Sequence, residues 1–304
     1  MNQIRIGIIG GSGFYELPGL TGVRWTRVTT PFGAPSDAYC VGQLGDRTVV
    51  FLPRHGRGHR VMPSDLNFRA NIYGFKKLGV QWVLSISAVG SMREEIRPLD
   101  MVIPDQFFDW TRHRVSSFFG NGIVAHVGMA DPVCRDLADK LEKAARATRA
   151  TVHRGGTYLC IEGPQFSSKG ESRIYRSWGV DVIGMTNMPE AKLAREAELC
   201  YATLAVVTDY DVWHESEEAV SVEAVVANLL KNIATAKEVL SRLIPTVGPD
   251  RDCPCPSLLE NAVITTPAVF PVRSRKALDL LLGKYYAQGK PPSKRAKPAR
   301  RGRR

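Results

Sequence analysis

Asp209 and Asp211 stand one residue apart in Thr208-Asp209-Tyr210-Asp211, directly after the apolar run Leu204-Ala205-Val206-Val207. If the strand persists they face the same side, where they could hold a metal, share a proton or accept from a ligand with adjacent N–H groups. A metal wants further oxygen ligands, and the near candidates Glu215, Glu217 and Glu218 read as the start of the next helix. The edge of a heterocycle is the better guess, with a solvated turn as the alternative. A second concentration of chemistry, Arg54-His55-Gly56-Arg57-Gly58-His59-Arg60, follows a strand ending at Leu52. Its donor-bearing side chains are interleaved with glycines, which suits a loop gripping phosphate or carboxylate; a solvated basic loop is the competing reading. Gly10-Gly11-Ser12-Gly13, Ser87-Ala88-Val89-Gly90-Ser91 and Met185-Thr186-Asn187 place hydroxyls at further strand exits. With Arg54 and His55 they could encircle one tetrahedral anion, although such a hydroxyl also serves as a helix cap. Phe166, in a glycine-proline loop, could stack on a ring or plug the loop. The first glycine turn fits neither the dinucleotide fingerprint, which would need glycine at Glu16, nor a nucleoside-triphosphate loop, whose Gly-Lys-Ser/Thr ending is absent.

Strands and helices must alternate to bring these exits together. The β-branched runs Ile4–Ile9, Thr48–Leu52 and Val80–Ser87 read as strands, and a helical segment opens at Pro63-Ser64-Asp65 and stops at Gly79. Downstream the pattern predicts helix 131–149, strand 152–160, helix 168–178, strand 180–185, helix 189–199, strand 201–208 and a long amphipathic helix 220–243. This is an α/β domain around a substantially parallel sheet, in which ligands collect beyond the carboxyl ends of the strands.

The chain has 304 residues, 44% of them apolar, which is ample for a buried core. Its 41 Lys and Arg against 30 Asp and Glu give a formal charge of +11, which invites a nucleic-acid or acidic-surface partner. Nine of those basic residues fall between Lys284 and Arg304, where no acidic residue stands, leaving +2 upstream. The charge therefore belongs to a polybasic tail without aromatics after Tyr286. Six scattered cysteines do not make a disulfide framework, and Cys253-Pro254-Cys255 lacks a second Cys or His pair following it, so buried thiols in a reducing cytoplasm are the expectation. The N-terminal residues read as neither a secretion signal nor a membrane span.

In that order, Gly10-Gly11-Ser12-Gly13, Arg54-His55-Gly56, Pro63-Ser64 with Arg69-Ala70-Asn71, Ile161-Glu162-Gly163-Pro164 with Phe166, Gly184-Met185-Thr186 and Thr208-Asp209-Tyr210-Asp211 resemble the trimeric purine nucleoside phosphorylases. The likeness spans about residues 4 to 246 and is greatest to the methylthioadenosine phosphorylase branch. It implies a single αβα domain with a mixed, largely parallel sheet, phosphate as cosubstrate, no metal or organic cofactor, and cleavage of a purine N-glycosidic bond. On this resemblance Ser12, Arg54, His55, Ser87, Ala88 and Thr186 bind phosphate, Met185 lines the ribose, and Phe166 and Ser167 border the base. The family usually has Thr at positions 12 and 87; serine keeps the donor. Asp209 becomes the proton donor to purine N7 and Asp211 holds the amino edge; the two carboxylates argue for adenine, because branches taking 6-oxopurines carry Asn at the first position. Val222, Val225 and Val226 match the 5′ pocket, and His126 matches a position reaching a neighbouring subunit, which implies a homotrimer. The expected organisation is a catalytic domain over 1–246, an extension over 247–283 packed on it, and a basic tail over 284–304. A broader purine nucleoside or methylthioinosine phosphorylase, and a nucleic-acid-binding protein acting through its tail, are the alternatives.

Overall fold

The computed structural model describes residues 4–11, 16–214 and 222–286, the side chains of 222–225 excepted. Strands β1 (Arg5–Gly10), β2 (Thr21–Thr26), β3 (Tyr39–Leu44) and β4 (Arg47–Pro53) precede helix α1 (Phe68–Lys77) and the long strand β5 (Trp82–Ser91). Then come β6 (Met101–Ile103), β7 (Gln106–Trp110), α2 (Arg135–Arg146), β8 (Val152–Arg154), β9 (Thr157–Ile161), α3 (Lys169–Ser177) and β10 (Val182–Gly184). Helix α4 (Asn187–Glu196), β11 (Cys200–Asp209), α5 (Val222–Leu243) and α6 (Val272–Tyr286) complete the order.

All the strands join one sheet, in the order β2-β3-β4-β1-β5-β10-β9-β7, with β11 between β5 and β6 and β8 beyond β6. β1 runs parallel to β4 and β5, β11 to β5, β6 to β8, and β9 to β7 and β10. The antiparallel pairs are β2 with β3, β3 with β4, β5 with β10 and β6 with β11, so the sheet is mixed and largely parallel, as expected.

Alternation along the strands feeds two cores. Ile9, Val50, Leu52, Ala205 and Val207 pack with Ile72 and Phe75 of α1, Leu193 of α4 and Leu278 and Leu281 of α6. Ile6, Ile8, Val49, Phe51, Leu204 and Val206 pack with Leu137 and Leu141 of α2 and Val239, Leu240 and Leu243 of α5. The result is an αβα sandwich in which each fully buried aliphatic side chain contributes about 1.5–3 kcal/mol. Among the described residues no helix is long and apolar enough to cross a membrane.

Several boundaries differ from expectation for local reasons. Pro63–Asp65 is a separate 3-10 turn, and α1 starts only after Asn67, whose side chain accepts from the Ala70 N–H at 3.1 Å. The helix expected over 131–149 is trimmed to Arg135–Arg146, because Cys134 is extended (ψ 112°) and the Thr148 N–H and hydroxyl turn back to Ala145 O. The strand expected over 152–160 breaks at Gly155 and Gly156, both with φ beyond +89° (90° and 97°). The break sends β8 to β6 and β9 to β7 and β10. The strand over 180–185 shortens to β10, and α4 spans Asn187–Glu196 with Met188 and Pro189 non-helical. Strands β2, β3, β6 and β7 and helix α6 carry no strong sequence period and were not foreseen. Because α6 runs through Tyr286, the expected boundary at 284 falls inside a helix: Lys284 donates to Pro256 O at 2.6 Å and pairs with Glu198. Residues 287–304, the remainder of the basic tail, lie outside the described residues, as do 220 and 221 of the long helix.

Candidate active site

The sheet forks at Gly90. β11 follows β5 in parallel register up to Val207 opposite Val89, then slips so that Asp209 faces Gly90, while β10 takes up antiparallel pairing at Gly90 and Ser91. A bulge of this kind re-aims the side chain beyond it. Diverging strand ends leave room between them, and a cavity of about 820 Å³ opens there, lined by Arg54, Ser87, Thr186, Asp209, Asp211 and Phe166 among others. That is the size range of small-ligand sites. The two carboxylates do not reach it by strand alternation, as the sequence suggested. Asp209 is the last residue of β11, and Asp211 sits in the following turn with φ +54°.

One end of the cavity is polar. Arg54 is buried at the exit of β4, where its Nε and Nη2 donate to the two oxygens of Glu190 at 2.9 and 3.1 Å. Nη2 also donates to Ser85 Oγ (2.6 Å) and Ile9 O (3.3 Å), and Nη1 to Ile86 O (3.0 Å). Burial works against the guanidinium charge, but Glu190 more than offsets it, so Arg54 stays charged. These bonds fix the plane of the fork and leave one Nη1 hydrogen for the cavity. Beside it Ser87 Oγ stands 3.2 Å from Thr186 Oγ1 and 3.0 Å from the Tyr158 hydroxyl, a chain of hydroxyls across β5, β9 and the exit of β10. Gly184 permits this, since a Cβ there would lie 2.0 Å from the Tyr158 oxygen. His55 donates from Nδ1 to Val61 O at 2.9 Å, and burial lowers its pKa to about 4. A neutral ring held this way presents Nε2 as an acceptor, whereas the sequence reading counted it among the donors.

The middle of the cavity carries the carboxylates. Asp209 Oδ1 accepts from the Asp211 N–H at 2.8 Å and Oδ2 from the Thr208 hydroxyl at 2.6 Å. Burial nevertheless raises its pKa, helped by the neighbouring Asp211 charge. Burial raises Asp211 as well, against the lowering effect of the nearby Ser172 and Ser167 hydroxyls, neither of which reaches hydrogen-bond geometry with it. Asp211 Oδ2 and Ser167 Oγ are buried in the cavity wall with no hydrogen-bond partner among the described residues. Leaving such atoms unpaired costs about 1–3 kcal/mol each, so both are poised for a polar ligand. Phe166 lines the same cavity and remains 45% exposed. Arg114 braces this region: Nη1 donates to Met185 O and Met188 O (both 2.7 Å), Nη2 to Glu162 O (2.8 Å) and Nε to Glu162 Oε1 (3.0 Å). Those bonds hold the exits of β9 and β10 and thereby Met185, which lines the cavity with Ala88.

A further part of the lining is apolar. Val226, Leu229, Leu230 and Ile233 lie at helical spacing along α5 and line the cavity with Met62. Only Val226 was singled out from sequence; the side chains of Val222 and Val225, and all of Ser12, lie outside the described residues. His126 is exposed in the loop after β7, with its N–H on Ala262 O (2.8 Å), and does not line this cavity. Glu190, Tyr158 and Arg114 were missed. Glu190 reads as a helix-surface residue, and its signal lay in Arg54 itself, because a buried guanidinium obliges a buried carboxylate.

Residues 5–245 match the family described as the phosphorylase superfamily. A relative from Koribacter versatilis named S-methyl-5′-thioadenosine phosphorylase is 57% identical over 288 residues, covering 95% of this chain and 99% of its own. A methylthioadenosine phosphorylase from an antarctic soil metagenomic library superposes with a TM-score of 0.88 at 48% identity, covering 93% of this chain and 100% of that one. A variant of the adenosine/methylthioadenosine phosphorylase of Schistosoma mansoni, in complex with methylthioadenosine, gives a TM-score of 0.76 at 38% identity, covering 81% of this chain and 92% of that one.

Proposed function

The chain belongs to the phosphorylase superfamily, and from that premise we propose that it cleaves S-methyl-5′-thioadenosine with phosphate to adenine and 5-methylthioribose 1-phosphate. It is a pentosyltransferase of the purine nucleoside phosphorylase type. The observation that carries the choice of substrate is the set of groups that line one cavity together: the buried Arg54 with its neighbouring hydroxyls, a carboxyl pair with an orphaned acceptor at Asp211, and an apolar stripe on α5.

Breaking the C–N bond gives the sugar oxocarbenium character and sends negative charge into the purine. Phosphate held by Arg54, Ser87, Thr186, the Ala88 backbone and Ser12 acts as nucleophile and as counter-charge beneath the sugar. His55 Nε2 accepts the proton that a hydrogen phosphate dianion carries, which orients its remaining oxygens toward the donors. Asp209, whose pKa burial raises, donates to N7 of the departing base. Asp211 Oδ2 accepts from the 6-amino group, Ser167 Oγ and Phe166 border the ring, and Met185 lines the ribose. A 6-oxopurine presents an acceptor at that edge and meets an acceptor, which disfavours the broader nucleoside reading. Val226 with Leu229, Leu230 and Ile233 favours a methylthio group over a hydroxyl, and the family resemblance gives Val222 and Val225 the same specificity role.

The reaction assigned here uses phosphate as cosubstrate and calls for no cofactor. His126 completes a neighbouring subunit's 5′ pocket in a homotrimer, and the enzyme works in the cytoplasm. Incubating the protein with methylthioadenosine tests the reading: adenine and pentose 1-phosphate should appear in equal amounts and only with phosphate, whereas adenine release without phosphate would replace phosphorolysis by hydrolysis.

A further inference from the structure

Cys134, Cys200, Cys253 and Cys255 come from three distant parts of the chain, yet their sulfur atoms all lie within 4.8 Å of one another. Cys134 is the N-cap of α2, Cys200 opens β11, and Cys253 and Cys255 flank Pro254 in the turn beyond α5. All four are free thiols; Cys253 alone is half-buried and the other three are buried, with Cys200 Sγ 3.4 Å from Cys253 Sγ. A tetrahedral thiolate site with metal–sulfur bonds of about 2.3 Å sets its sulfur atoms about 3.8 Å apart. The observed cluster therefore needs only small side-chain adjustments to close around an ion. We propose that these four cysteines bind one zinc ion as a closed structural site that fastens the C-terminal extension to the catalytic domain.

Ligand softness and geometry select the metal, since four sulfur donors in a tetrahedron suit zinc and disfavour hard cations. Binding replaces the four thiol protons, which leave to water, by four zinc–sulfur bonds. The resulting negative charge faces the N-terminus of α2 and the Lys76 ammonium, which interacts with Cys200. Cys200 and Asp209 occupy opposite ends of β11, so about 30 Å of strand separates the cluster from the reacting groups. Four protein ligands leave no open position for substrate, which makes the site structural rather than catalytic. The sequence concealed it because the partners of Cys253 and Cys255 precede them on other elements instead of following at finger-like spacing, and no metal was expected.

Full-length protein reduced, incubated with zinc and freed of excess metal should retain one zinc per chain, released as a mercurial titrates the four thiols. Cobalt in its place should give the charge-transfer and d–d bands of tetrahedral thiolate coordination. Cys253→Ser, at the least buried position, should lose most of the bound zinc and lower the thermal midpoint while leaving turnover of the folded enzyme within twofold. Retention of no zinc by folded wild-type protein, or peptide mapping that finds these cysteines paired as disulfides after purification, would overturn the proposal. The wild-type stoichiometry and cobalt spectrum decide the matter even if the variant fails to fold.

Discussion

Thr208 has one hydroxyl proton and two acceptors, Val89 O at 3.2 Å and Asp209 Oδ2 at 2.6 Å. When that proton serves Val89, the short contact to Asp209 is favourable only if the carboxyl carries a proton of its own, which is the state a donor to N7 requires. Burial pushes the Asp209 pKa in the same direction. Because the protonated form is the active one, kcat/KM should hold at low pH and fall as pH rises through this raised pKa. Asp209→Asn should lower kcat with methylthioadenosine by about 10²- to 10⁴-fold and abolish that limb of the profile. An unchanged kcat would remove Asp209 from the acid role. Glu190 touches no substrate in this scheme, yet it neutralises Arg54 from a fully buried position and also accepts from the Tyr201 hydroxyl at 2.8 Å. Glu190→Ala should therefore cost about 3–5 kcal/mol in urea unfolding and raise the KM for phosphate, since the orphaned guanidinium loses its fixed plane. A KM for phosphate that stays put would show that Arg54 does not need this brace.

At the scale of elements, the site is a consequence of where β5, β10 and β11 part. Gly90 is the residue at the fork, and a Cβ there would meet Asp209 Oδ1 at 2.8 Å and the Asp211 nitrogen at 3.3 Å. Gly90→Ala should displace the acid by a few tenths of an ångström or more and reduce kcat at least about tenfold with little change in the unfolding midpoint. Loss of folding instead would mean that Gly90 matters to the sheet before it matters to the acid. Much of this arrangement was legible in the sequence because β-branched runs ending in glycine or polar residues mark buried parallel strands and their exits. Thr208-Asp209, Ser87-Ala88 and Met185-Thr186 stood out on that ground. What stayed hidden depends on tertiary partners. The exposed alternation of β7 and the short β6 carry little signal in isolation, and α6 is helical beside a core its own residues do not announce. The Gly155-Gly156 break redirects a strand that the apolar pattern reads as continuous, because the left-handed backbone of both glycines is invisible to periodicity. Arg114 sits on a loop without motif, and only its bonds to the exits of β9 and β10 identify it.

For the whole molecule, the surplus of +11 divides between a nearly neutral body and a basic C-terminal stretch whose first member, Lys284, is engaged with the fold. Deleting residues 288–304 should leave phosphorolysis and the unfolding midpoint unchanged and remove any salt-sensitive retention on nucleic acid; a loss of turnover at unchanged folding would give the tail a catalytic part. Sedimentation should give the mass of a trimer, and His126→Ala should raise the KM for methylthioadenosine several-fold without altering that for phosphate. A monomer with full activity would leave His126 without a pocket to complete. Substrate choice turns on the match between the carboxyl pair and an amino-bearing base, joined to an apolar 5′ end. The most direct measurement compares kcat/KM for methylthioadenosine, adenosine, methylthioinosine and inosine at saturating phosphate. Methylthioadenosine should lead, with adenosine behind it and both 6-oxopurine nucleosides far below; a preference for inosine or methylthioinosine would contradict the roles given to Asp209 and Asp211.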